Sequence, residues 1–82
     1  MPTVLKIFSL MFLIHTRDHG FPHVTVYDGT PARYEATAKI RLDKLAVIEA
    51  AGFSRRDLKL ILEICAKYQH DWIEVWNETR EG

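Results

Sequence analysis

His15, Asp18, His19 and His23 fall within nine residues, the densest grouping of reactive side chains in the chain. Neutral imidazoles beside a carboxylate can ligate zinc or a similar metal, move a proton near neutral pH, or hold a phosphate. The natural chemical set is Asp18, His19 and His23, with either imidazole as general acid or base. The spacing is not that of a helical His-x-x-x-His metal site, because Gly20 and Pro22 break any helix between the histidines. No metal and no cofactor is therefore expected. A plainer role fits the same residues: Asp18 caps a turn, Pro22 stiffens it, and the imidazoles bond to backbone or water.

A second grouping is electrostatic. Arg55, Arg56 and Lys59 open a long helical pattern, while Asp71, Glu74, Glu78 and Glu81 lie near its end. A helix dipole favours the opposite arrangement by roughly 0.3–1 kcal/mol per charge. Together with Arg33, and with Lys39, Arg41 and Lys44 close in sequence, this basic end can contact phosphates or an acidic partner. Ordinary solvated charge explains it equally well.

A third grouping is aromatic. Tyr68, Trp72 and Trp76 belong to an apolar stripe and would pack on Phe8, Phe12 or Tyr34. Where the sheet leaves them uncovered, Trp72 and Trp76 become interface anchors. Cys65 lies on the same stripe and reads as a buried, inert thiol. No phosphate loop, nucleophile elbow or Cys-x-x-Cys occurs.

The elements that must position these residues change character along the chain. Pro and Gly concentrate in the first half, at positions 2, 20, 22, 29 and 31. Strands therefore come first and helices second, an α+β domain over 1–82 with strands about 3–41 and helices about 43–79. Val4–Phe8 and Leu10–Thr16 form a hairpin turning near Ser9. His23–Tyr27 is a third strand, with Val24 and Val26 on one face and Thr25 and Tyr27 on the other. Asp28-Gly29 reads as a turn, and Arg33–Ile40 is a fourth strand that can extend to Leu42. Asp43 would cap a short helix over Lys44–Ala51, ended by Gly52. Ser54 and Asp57 then make a capping box for a helix running to about Glu78. In it, Leu58, Ile61, Leu62, Cys65, Tyr68, Trp72, Val75 and Trp76 recur at three- and four-residue steps. The expected fold is a small antiparallel sheet of three to four strands packed by a short helix and a long C-terminal helix.

At 82 residues and 48% hydrophobic content the chain can bury a core, though only about 60% of its unfolded surface. A net charge of zero gives no bulk attraction to nucleic acid or membrane and mildly favours an obligate partner. One cysteine fits a reducing cytoplasm. The apolar run Val4–Ile14 is too short to span a bilayer and lacks the features of a signal peptide.

Met1-Pro2-Thr3, the apolar hairpin, Asp18-His19 with Pro22-His23, Tyr34-Glu35-Ala36, Leu45 to Ala50, Arg55-Arg56 and Trp76 together resemble, over nearly the whole length, a small bacterial family catalogued as domain of unknown function 4160. Members open Met-Pro-Thr, as here at 1–3, and carry an apolar hairpin followed by Asp-His-x-Pro-Pro-His-Phe-His. Asp18, His19, Pro22 and His23 are kept. Tyr34-Glu35-Ala36 matches a Tyr-Glu-Ala segment, and Leu45 to Ala50 resembles Leu-x-Val-Leu-Glu-Gly. Arg55-Arg56 matches a basic helix start, and Trp76 a closing Trp. Phe21 stands where Pro is usual, Thr25 where the last His is, Ser9 where Gly is and Ile64 where Trp is. Thr25 leaves the family's His pair incomplete, which weakens any chemistry built on it. The resemblance implies a gene beside another small domain, in pairs often labelled toxin–antitoxin-like.

The leading expectation is a cytoplasmic module of such a pair, with no membrane association. It would bind a small protein encoded by the neighbouring gene, and RNA or DNA in addition. Asp18, His19 and His23 would form its functional face, with Arg55, Arg56, Lys59 and Arg33 as phosphate or acid contacts. The rival is a small nuclease using His19 or His23 with Arg55 or Arg56. A third reading is a homo-oligomer completed by the apolar stripe.

Overall fold

The computed structural model describes residues 3–15 and 20–81. Five strands precede one helix: β1 (Thr3–Ile7), β2 (Leu10–Leu13), β3 (His23–Thr30), β4 (Arg33–Arg41), β5 (Ala46–Ala51) and α1 (Arg55–Glu81). The strands form an antiparallel meander in the order β1-β2-β3-β4-β5. The α+β expectation holds, but among the described residues the sheet has five strands and α1 is the one helix that packs on it.

The fifth strand replaces the expected short helix. Asp43 does not cap; its carboxylate accepts from Nε (2.6 Å) and Nη2 (3.0 Å) of Arg41. The pair lowers the Asp43 pKa, mainly through the Arg41 hydrogen bond. Residues 42–45 turn, with Leu45 at φ 50°, and the chain doubles back on β4. Ala46–Ala51 is rich in good helix formers, but the unpaired edge of β4 needs hydrogen-bond partners and outweighs that preference.

The β3–β4 turn also moves. Asp28-Gly29 stays inside β3, and the chain reverses at Pro31-Ala32, where the Arg33 amide donates to Thr30 Oγ1 (3.1 Å). Gly29 has φ 128° and lies so close to the Arg33 carbonyl that a Cβ would collide with it.

At the start of α1 the capping box forms as expected. The Asp57 amide donates to Ser54 Oγ (3.1 Å), and the Ser54 amide donates to Asp57 Oδ2 (3.4 Å). One face of α1 then covers one face of the sheet. Ile61, Cys65, Trp72 and Trp76 join a single core with Leu10, Phe12, Val24, Val26, Ala38 and Ile40. Gln69 Nε2 donates to the Leu42 carbonyl (2.8 Å), tying the helix to the β4–β5 turn.

Candidate functional site

Of the histidine segment, His15 and His23 are described, and His15 is half-buried after the end of β2. Asp18 and His19 lie outside the described residues. His23 begins β3 and is buried, 6% exposed. Its ring lies 4.8 Å from Trp76 and 5.9 Å from Phe21, and its Nδ1 is 3.1 Å from the Phe21 carbonyl. A general acid or base must reach its substrate; this imidazole is instead packed between aromatic rings. Among the described residues no three His, Cys, Asp or Glu side chains are placed to hold a metal ion.

Trp72 and Trp76 correct the interface expectation. Both are buried in the chain's own core. Trp72 stacks on Tyr68 (5.2 Å, 10° between planes) and tilts against Phe12 (5.3 Å). The sheet covers both indoles, so neither is offered to a partner, while Leu58, Leu62, Tyr68 and Val75 of the same stripe are partly buried. Phe8 and Tyr34, the other rings expected beneath them, are exposed. Burial pushes the Cys65 thiol up to about 12, so it stays protonated and unreactive.

Arg55 and Arg56 are the first two residues of α1; they, Lys59 and Arg33 are all exposed. Among the described residues no ion pair neutralises them. The basic helix start is therefore solvated charge available to an anion.

Two surfaces outside the sequence motifs are better formed. The first is a groove of about 220 Å³ where the β1–β2 turn meets the start of α1. Phe8, Leu10, Phe53 and Leu60 supply its apolar lining, and Asp28 and Asp57 its carboxylates. Phe8 is 82% exposed and sits at φ 55°, a left-handed conformation unfavourable for a bulky residue. A large apolar side chain held in the wrong backbone region and in water serves no packing purpose.

The second surface is the sheet face opposite α1. Register places Lys6, Met11, Tyr27 and Thr37 in one cross-strand row, and Leu13, Thr25, Lys39 and Glu49 in the next. Between the Tyr27–Thr37 and Gly29–Tyr34 pairs, β4 inserts two residues against one in β3. That irregularity brings the Tyr34 ring to 5.0 Å from Tyr27. A depression of about 240 Å³ lies beside this pair, lined by Thr25, Thr37, Lys39, Glu49 and three alanines of β4 and β5. Along the same face Arg41 stacks over Phe21, 4.3 Å from its centroid. The β3 alternation already separated Thr25 and Tyr27 from the core; the partners from β4 and β5 needed the register.

No helix among the described residues is long and apolar enough to cross a membrane. No curated protein and no solved structure gives a match. A family model does match, over residues 8–77, from the β1–β2 turn to the residue after Trp76. With β2 to β5 and most of α1 inside that span, the chain belongs to the family described as Domain of unknown function (DUF4160).

Proposed function

We propose that this chain is a cytoplasmic binding module of a toxin–antitoxin-like pair, and that it holds a small protein partner encoded by the neighbouring gene. The observation that carries this reading is the Phe8 groove. Phe8 and Leu60 are exposed apolar groups around one cavity that also presents Asp28 and Asp57. An apolar lining with two carboxylates suits a partner segment in which a Lys or Arg is flanked by apolar residues. The Phe8 backbone strain supports a binding role, because a turn selected for stability alone would place Gly or Asn there. The nuclease reading has less support, since His23 is buried against Trp76. The homo-oligomer reading has less support, since Trp72 and Trp76 of the helical stripe are buried within the chain.

The test is co-expression with the neighbouring gene product, followed by size-exclusion chromatography with light scattering. The expected result is a stable mixed complex, lost in Phe8→Gly and weakened in Asp28→Asn. Phe8→Gly relieves the positive φ, so the fold persists while the ring is removed. A wild-type chain that stays at 9.5 kDa in the presence of its neighbour refutes the proposal. A lone protein at twice that mass points to a homodimer instead.

A further inference from the structure

The face of the sheet opposite α1 combines features that core packing does not require. Tyr34 is 48% exposed and held against Tyr27 by the β3–β4 irregularity, which makes a fixed aromatic platform. The adjoining depression is left open where Ala51, opposite Thr37, has a side chain too small to fill it. Thr25, Thr37, Lys39 and Glu49 line it. Lys39 and Glu49 are cross-strand neighbours, yet no ion pair joins them. Thr25 is only 7% exposed, and its Oγ1 makes no hydrogen bond within the protein. A buried, unpaired hydroxyl is costly, and such groups in a folded protein call for an explanation. Thr25 lines the depression, and a side-chain rotation that turned its hydroxyl toward a seated ligand would complete its hydrogen bonding.

We propose that this face binds single-stranded nucleic acid, with one base stacked on Tyr34, which Tyr27 braces from the side, and the next seated in the depression beside Thr25. Glu49 accepts from the amino or imino groups of the seated base, and Thr37 bonds to its edge. Lys39 and Lys6, on the same face as Tyr27, contact the flanking phosphates. Single strands are favoured for two reasons. Only unpaired bases expose faces and edges to an aromatic platform. The net charge of zero provides no general attraction to a duplex backbone, so stacking must supply most of the affinity. This inference deepens the binding-module reading and rests on it for the role of the chain as a binder. It uses a different surface from the Phe8 groove.

Fluorescence anisotropy with a labelled mixed-sequence RNA decamer tests it, alongside the matching DNA decamer and the RNA annealed to its complement. The single strands should bind with a Kd of about 10⁻⁴ M or tighter, and the duplex at least about tenfold more weakly. Tyr34→Ala should cost about tenfold or more in affinity without changing Tm, since Tyr34 is half exposed. Lys39→Ala should lower the slope of log K against log salt by about 0.7, one phosphate contact. RNA binding tighter than DNA binding would identify RNA as the source, through its 2′-hydroxyls. The proposal is overturned by absence of single-strand binding, by equal binding of duplex, or by a folded Tyr34→Ala that binds normally. Phe8→Gly should bind the decamer like wild type. A chain that binds RNA but not its neighbour fails only the partner proposal, and the converse fails only this one.

Discussion

Replacing Thr25 by Val should make the protein more stable, which is unusual for a buried position in the middle of a sheet. The Thr25 hydroxyl is buried and makes no hydrogen bond within the protein. Leaving a polar group in that state costs about 1–3 kcal/mol. Valine keeps the branched shape, replaces the hydroxyl with a methyl, and suits a central strand at least as well as Thr. The net gain should be about 1–2 kcal/mol, and for a domain of this size 1 kcal/mol moves Tm by roughly 4–8 °C. Thermal melts and urea titrations would measure it, with an unchanged m-value showing that the unfolded state is not involved. Thr37→Val is the control. Thr37 stands on the same face but is partly exposed, so its effect should stay within about 0.5 kcal/mol. A Thr25→Val protein with unchanged or lowered Tm would falsify the reasoning, because the hydroxyl would then be satisfied. If the depression binds a base, the same substitution should weaken single-strand binding while raising Tm. That would be a trade of function against stability.

Two further outcomes follow from the backbone and from the core. Gly52 has φ 91°, and a Cβ there would lie 2.8 Å from the Glu35 carbonyl oxygen and 2.9 Å from Ala36 Cβ. Gly52→Ala should cost about 2 kcal/mol or more, read from urea melts; an unchanged midpoint would mean that this approach is not tight. Cys65 should resist thiol reagents at pH 8 until the chain is unfolded. Its thiol is raised from 9.0 to about 12 by burial, so above pH 9 the unfolded chain loses a proton that the folded chain retains. Stability should therefore fall as pH rises from about 9 toward 12, and Cys65→Ala should lack that component. Labelling of the native thiol at pH 8 at the rate of a free thiol would contradict the buried assignment.

How much could be read in advance depended on the range of the interactions involved. The long helix and its cap were legible because their signals are local: a three- and four-residue apolar repeat, and a Ser and an Asp three residues apart that bond each other's amides. The separation of Val24 and Val26 from Thr25 and Tyr27 was legible for the same reason, since strand alternation is a property of consecutive residues. What lay beyond the sequence depended on neighbours distant in the chain. Ala46–Ala51 has the composition of a helix and becomes a strand because β4 presents an unpaired edge. Trp72 and Trp76 could have been surface anchors; the extent of the five-stranded sheet makes them core. His23 has the chemistry of a catalyst, but contact with Trp76, 53 residues away, turns it into packing. The Tyr34 platform and the depression beside Thr25 require the register of three strands and one irregularity, and register is decided by pairing. The sequence by itself determined which residue types were available and the local elements that carry them. Tertiary packing decided which became core and which face was left open, because burial is a property of contacts between elements.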